Sequence, residues 1–234
     1  MIFMGIICTI ISLPCLILYR EQPLTYPSAI AEKTDLDAKS GDKSYSQMAD
    51  LRILGKNKNY YLLSVSFMML YGVYSSLGAI INLLVTPYDY TGTDASIFGG
   101  AFIVTGIIGG VVFSYFLDKY GAYLISLKVI CVGSLLLSAV VYWTLPSKIK
   151  WLFILNISFL GFFLLAIIPV GLSYAVELTR PVSEIMSNGI VMTLSQVVGS
   201  VAAVWATILT EDEPKDAVIL FSAMILIGTI TALL

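Results

Sequence analysis

The side chains that could do chemistry in this sequence are polar groups set deep inside apolar runs. Gln196 stands near the middle of the run 183–209, with Ser195 beside it. Tyr71, Tyr74, Ser75, Ser76 and Asn82 stand in the run 60–86, and Tyr174 in the run 150–176. A glutamine in hydrocarbon is costly unless it faces a bundle interior and finds partners. Gln196 therefore either joins two helices by a hydrogen bond or lines a cavity. On a helix it shares its face with Gly189, Met192, Gly199 and Ala203. Tyrosines often form belts at membrane interfaces. Tyr71 and Tyr74, however, lie 11 and 14 residues beyond Tyr60, near mid-run, which favours a cavity lining. Their rings, with Tyr174 and Trp205, offer faces that can hold a quaternary ammonium without any hydrogen bond. No carboxylate stands at mid-run, so a salt-bridged cation site is not indicated.

A second set of groups is charged and sits at the ends of runs. Asp118 and Lys119 follow the run 97–117, and Glu177, Arg180 and Glu184 bracket the break before 183–209. Together they could make and break contacts that hold one end of a bundle shut. The ordinary alternative is helix-end charge: Pro181 suits a first helical position, and Glu184 then lies in the favourable first turn. Lys128 reads as a lysine that snorkels back to the interface.

Other chemistry is excluded by what the sequence lacks. It has no histidine, which removes the commonest proton relay and the commonest metal and haem ligand. Cys8, Cys15 and Cys131 all lie in apolar runs, with neither the number nor the spacing of a disulfide framework or zinc site. There is no Walker sequence, paired mid-run carboxylates or nucleophile–base pairing, so no enzyme and no cofactor are expected. Net charge is -2, with no basic patch of the kind a nucleic acid needs.

The elements that must position these groups are membrane helices. Of 234 residues 58% are hydrophobic and 12% charged, and mean hydropathy is +0.91. A soluble domain carries about twice that share of charge. Crossing a bilayer takes about 20 apolar residues of helix. Seven runs qualify as candidates: 1–19, 60–86, 97–117, 122–145, 150–176, 183–209 and 217–234. All should be helical, because open strand edges cannot be satisfied in lipid. The first lacks the basic start and cleavage pattern of a signal peptide. The last is short and reads as cut off at Leu234. Between the first two runs lies one long polar segment, 20–59, with a short amphipathic helix expected near 44–54. The other connections are short, so the later six runs form one unit, 60–234. Gly106 and Gly110 have the spacing of a close helix–helix contact. If the segment 20–59 is cytoplasmic, its side collects ten of the thirteen basic residues, including Lys119, Lys128 and Arg180.

Five stretches resemble known transporters. LDKYG at 117–121 resembles the loop motif of the major facilitator superfamily: Asp118, Lys119 and Gly121 match, while Ser114 and Ala122 depart from it. ELTRPVSEIMSNGIVMTLSQVVG at 177–199, GFFLLAIIPVGLSYAVE at 161–177, EQPLTYPSAIAE at 21–32 and LYGVYSSLGAIINLLVTPY at 70–88 resemble the feline leukaemia virus subgroup C receptor-related family. Arg180 replaces the tyrosine usual before Pro181. The resemblance implies an all-α, multi-pass membrane protein: the last helix of an N-terminal half, a cytoplasmic central loop, and a C-terminal six-helix bundle. It implies transport of a small solute, choline, ethanolamine or haem, by alternating access in a lipid bilayer. The N-terminal half is expected to supply the other wall, and the chain alone is expected not to transport. The family's helix-eleven glutamine carries over to Gln196. Its helix-seven tyrosine falls at Ser75, with Tyr74 one residue before. The bland alternative to the whole reading is a non-transporting seven-span receptor or scaffold.

Overall fold

The computed structural model describes residues 47–180 and 182–234, so the expected first span and most of the polar segment lie outside the described residues. The described chain is all-α: α1 (Gln47–Lys56), α2 (Lys58–Val85), α3 (Gly92–Tyr120), α4 (Tyr123–Thr144), α5 (Lys150–Thr179), α6 (Glu184–Asp212) and α7 (Pro214–Leu233). Six of these, α2 to α7, are long and apolar enough to cross a membrane. α1 stands close to the expected short helix. α7 begins at Pro214, three residues before the apolar run, because a proline at the first turn needs no N–H partner. At 20 residues it is the shortest of the six.

Local chemistry sets the helix ends. Asn57 Oδ1 accepts from the backbone N–H groups of Asn59 and Tyr60 and starts α2. Its Nδ2 donates to the Leu178 carbonyl at 2.9 Å, which ties the start of α2 to the end of α5. Thr91 and Asp94 form a reciprocal capping box at the start of α3. Gly121 ends α3 in the left-handed region, φ 60°, where a side chain would be strained. Ser183 caps α6.

The two turns at the other end of the unit share a design. Thr86–Tyr88 and Leu145–Ser147 each make a proline-containing 3₁₀ turn, followed by a left-handed residue, Asp89 or Lys148. Those two residues form an ion pair, and Lys150 pairs with Asp94 at 2.8 Å. The Lys148 hydrogen bond holds the Asp89 carboxyl below the usual carboxylate range. The α2–α3 turn is thereby tied to the α4–α5 turn.

Packing within the unit centres on α2 and α5. α2 packs on α6, α7 and α5, while α5 packs on α3, α4 and α2. α3 and α6 flank the α2–α5 pair and are the least buried of the six. Glycines set the α3–α5 distance. A Cβ on Gly109 would stand 2.0 Å from the Phe162 carbonyl oxygen, and one on Gly161 would stand 2.3 Å from that of Phe102. The closest approach is therefore at Gly106 and Gly109: Gly110 points about 100° away from Gly109 and meets only the edge of Pro169, at 3.8 Å. Thr105 Oγ1 adds a 2.7 Å hydrogen bond to the Ser158 carbonyl.

Candidate functional site

One turn of α2 joins the two flanking helices. Tyr71 reaches α6, where its phenol oxygen accepts a 2.9 Å hydrogen bond from Gln196 Nε2. Tyr74 reaches α3, where its ring stacks on Phe102 with centroids 5.7 Å apart. Tyr71 also stacks on Phe67 and lies 5.8 Å from Tyr74. The result is a row of four rings, Phe67, Tyr71, Tyr74 and Phe102, running along α2 and across to α3.

Small residues let α6 come this close. Gly199 lies against Gly72 and Ser75, and Ser76 Oγ donates to the Gly199 carbonyl at 2.8 Å and to the Gly72 carbonyl at 2.7 Å. Tyr71 is 8% exposed, Tyr74 and Ser75 are half-buried, and Gln196 is exposed. Farther along the same face of α2, Gly78 and Asn82 are exposed as well. Of the two roles expected of Gln196, the helix-joining bond is the one seen. Its amide nitrogen joins two helices, and the side chain still lies on the open surface of the unit. The Tyr71 phenol hydrogen remains available to donate, since its oxygen is the acceptor from Gln196.

The remaining expected groups are placed elsewhere. Tyr174 does not join this set. It stacks on Tyr123 at 5.7 Å and lines a pocket of about 240 Å³ with Asn59, Leu62 and Leu127. Asn59 is twelve residues before Tyr71 on α2, roughly 18 Å of helix. Position on α5 decides this: Tyr174 is only one turn and a half from the helix end at Thr179. Asn82 shares the α2 face but lies eight residues, roughly 12 Å, beyond Tyr74.

The charged groups do not converge either. Arg180 pairs with Glu177 of its own helix at 3.1 Å. Lys119 stands over the rings of Tyr115 and Tyr120, at 5.9 and 5.5 Å from their centroids. Glu184 lies in the capped first turn of α6. Among the described residues no ion pair joins Asp118 or Lys119 to Glu177, Arg180 or Glu184. Arg180 and Lys119 find neighbours within a turn of their own helices, which costs less ordering than a contact across the loop.

Two features escaped the sequence reading. Phe102 backs Tyr74, and nothing in its apolar run distinguishes it. The Asp94–Lys150 pair had a usable signal, the Thr91-x-x-Asp94 pattern of a capping box. Among the described residues no three histidine, cysteine, aspartate or glutamate side chains gather to hold a metal.

Comparison with known proteins now decides the family. Residues 1–206 match the model of the Major Facilitator Superfamily. The chain belongs to that superfamily. It is a major facilitator superfamily protein of the transporter class, integral to the membrane and multi-pass. It is 28% identical over 197 residues to choline/ethanolamine transporter FLVCR2 of Homo sapiens, covering 83% of this chain and 37% of that protein. It is 26% identical over 226 residues to choline/ethanolamine transporter flvcr2b of Danio rerio, covering 96% and 46%. It is 26% identical over 232 residues to choline/ethanolamine transporter FLVCR1 of Felis catus, covering 97% and 41%. The chain thus spans less than half the length of these relatives.

Proposed function

We propose that the six-helix unit forms one wall of a solute path, and that the α2–α6 face carries part of the binding site for a small hydroxyl-bearing amine such as choline or ethanolamine. The observation that carries this reading is the Tyr71–Gln196 hydrogen bond beside the half-buried Tyr74 ring, on a face that α3 and α6 leave open. A cation held here would meet ring faces, the Gln196 carbonyl oxygen and the Tyr71 hydroxyl. It would meet no carboxylate, because every carboxylate in α2 to α7 sits near a helix end. A quaternary ammonium tolerates that environment, since it attracts aromatic faces and needs no hydrogen-bond acceptor. The hydroxyl of the same molecule can use the Gln196 oxygen or the Tyr71 O–H. Haem fits less well, because the chain offers its iron no imidazole.

On this reading the opposite wall is another set of helices, the N-terminal half, and the two rock about a midplane site. Residues 60–234 are the C-terminal bundle. Asp118, Lys119, Glu177, Arg180 and Glu184 lie at the end that would open and close, and their pairing changes between states. No nucleotide, metal or catalytic step enters. Uptake of labelled choline and ethanolamine tests the reading, in cells that express this chain joined to the half that precedes it in its relatives. Tyr74→Ala and Gln196→Ala should each cut uptake at least tenfold with unchanged surface expression. Full uptake by both variants would remove the face from the binding site, and uptake by the chain alone would overturn the one-wall reading.

A further inference from the structure

We propose that the cleft between α3 and α4 binds an anionic phospholipid, with an acyl chain between the two helices and the headgroup at Lys119. These helices follow one another through only Gly121 and Ala122, yet they barely pack together. Both lean instead on α5. The wedge left between them measures about 540 Å³, within the roughly 300–1,000 Å³ that holds a small organic ligand. Its floor is Phe162 and Phe163, which meet edge to face at 5.4 Å. Phe113 stands 6.0 Å from both, and Ile125 and Val129 form the opposite wall.

The lining says what can enter. Apart from the Ser126 hydroxyl and the Tyr120 phenol it is hydrocarbon. Ile125 is 67% exposed and Tyr120 is 62% exposed, so the cleft opens outward from the unit. This is the side away from the polar α2–α6 face, where a membrane protein presents carbon to lipid. A chain of methylenes can fill such a slot with no polar atom left unsatisfied.

Charge selects the headgroup. Lys119 Nζ stands 5.5 Å from the ring centroid of Tyr120, which lines the cleft, so a cation sits at the rim. Among the described residues no carboxylate lies within 4.0 Å of it. The neighbouring Asp118 lines a different groove, with Gly110, Ser114 and Pro169 on the α5 side of α3. An exposed lysine at the interface end of an apolar slot complements an anionic phospholipid. A sterol would leave the lysine without a counter-charge, and free phosphate would leave the slot unfilled.

The test follows the thermal unfolding midpoint of the purified 234-residue chain in a neutral detergent, because a ligand that binds only the folded state raises it. Phosphatidylglycerol should raise the midpoint at about fivefold lower concentration than phosphatidylcholine of the same chains, the share of one lysine near an anionic surface. Lys119→Gln should abolish that preference and keep the response to phosphatidylcholine. Ser126→Leu, which places a bulky side chain in the slot, should weaken both responses; Ala122→Leu at the mouth does the same if Ser126→Leu fails to fold. Equal response of the wild-type chain to the two lipids would overturn the proposal. So would an anionic preference that survives Lys119→Gln, the same rise with inorganic phosphate, or a stronger response to cholesterol. Transport is not read, so this result stands apart from that of the uptake experiment.

Discussion

Replacing Gly109 by alanine should drive α3 off α5. The new Cβ would stand 2.0 Å from the Phe162 carbonyl oxygen, 2.8 Å from its carbonyl carbon and 3.0 Å from its Cα. A carbon next to a carbonyl oxygen rests at about 3.3 Å, so the helices must part by about 1.3 Å. All three obstructing atoms are backbone, so no side chain can swing aside. Overpacking of a core costs about 1–3 kcal/mol where side chains can adjust. Here the cost should reach at least ~3 kcal/mol, because the parting also weakens the Thr105–Ser158 hydrogen bond and the Gly106–Leu165 contact. For a chain of this size that corresponds to a fall of about 6–12 °C in the unfolding midpoint. Gly100→Ala is the control: it lies in the same helix with nothing within 4 Å of its Cβ. That variant should unfold at the wild-type temperature or slightly above it, since alanine favours helix over glycine by about 1 kcal/mol. Gly199→Ala should fall between, because its Cβ would meet the Ser75 Cβ at a tight 3.3 Å. Thermal unfolding of the three variants in one detergent, followed by helical circular dichroism, gives the ranking. If Gly109→Ala and Gly100→Ala unfold together, the glycine crossing does not set the α3–α5 distance.

Two further outcomes follow from the polar contacts. Tyr71→Phe and Gln196→Leu each remove the 2.9 Å bond between α2 and α6. A double-mutant cycle on unfolding should give a coupling of about 0.6 kcal/mol, with a ceiling near ~1.7, and a coupling indistinguishable from zero would mean the bond is not formed in the membrane protein. At the opposite turns, Lys150→Ala should lower the unfolding midpoint more than Lys148→Ala. The Asp94 side chain that Lys150 serves is 12% exposed, whereas the Asp89 side chain is 79% exposed and well hydrated without its partner. The reverse order would show that the Asp94 capping box alone holds that turn.

The difference between what the sequence showed and what it hid is a difference between one-helix and two-helix properties. Spans are written in single stretches of apolar residues, so α2 to α7 could be read from composition and length. Their start signals are local too. The Thr91-x-x-Asp94 box and Pro214 extend α3 and α7 beyond their apolar runs, which is why hydropathy alone began both helices a few residues late. Contacts between helices have no such local record. Gly106 and Gly110 show an ordinary small-residue spacing, but the facing surface of α5 decides whether Gly109 or Gly110 turns inward. Tyr174 was separable from Tyr74 by position alone, since it lies one turn and a half from the end of α5 while Tyr74 lies at mid-helix. Gln196 was legible because an amide in hydrocarbon must find a partner, but the identity of that partner, Tyr71, depends on how α6 crosses α2 at Gly72 and Gly199. The same crossing explains why the polar face stays open. Small residues bring α2 and α6 into backbone contact at one level, and the polar strip beyond it, with Gly78 and Asn82, is left for whatever covers the unit from the other side.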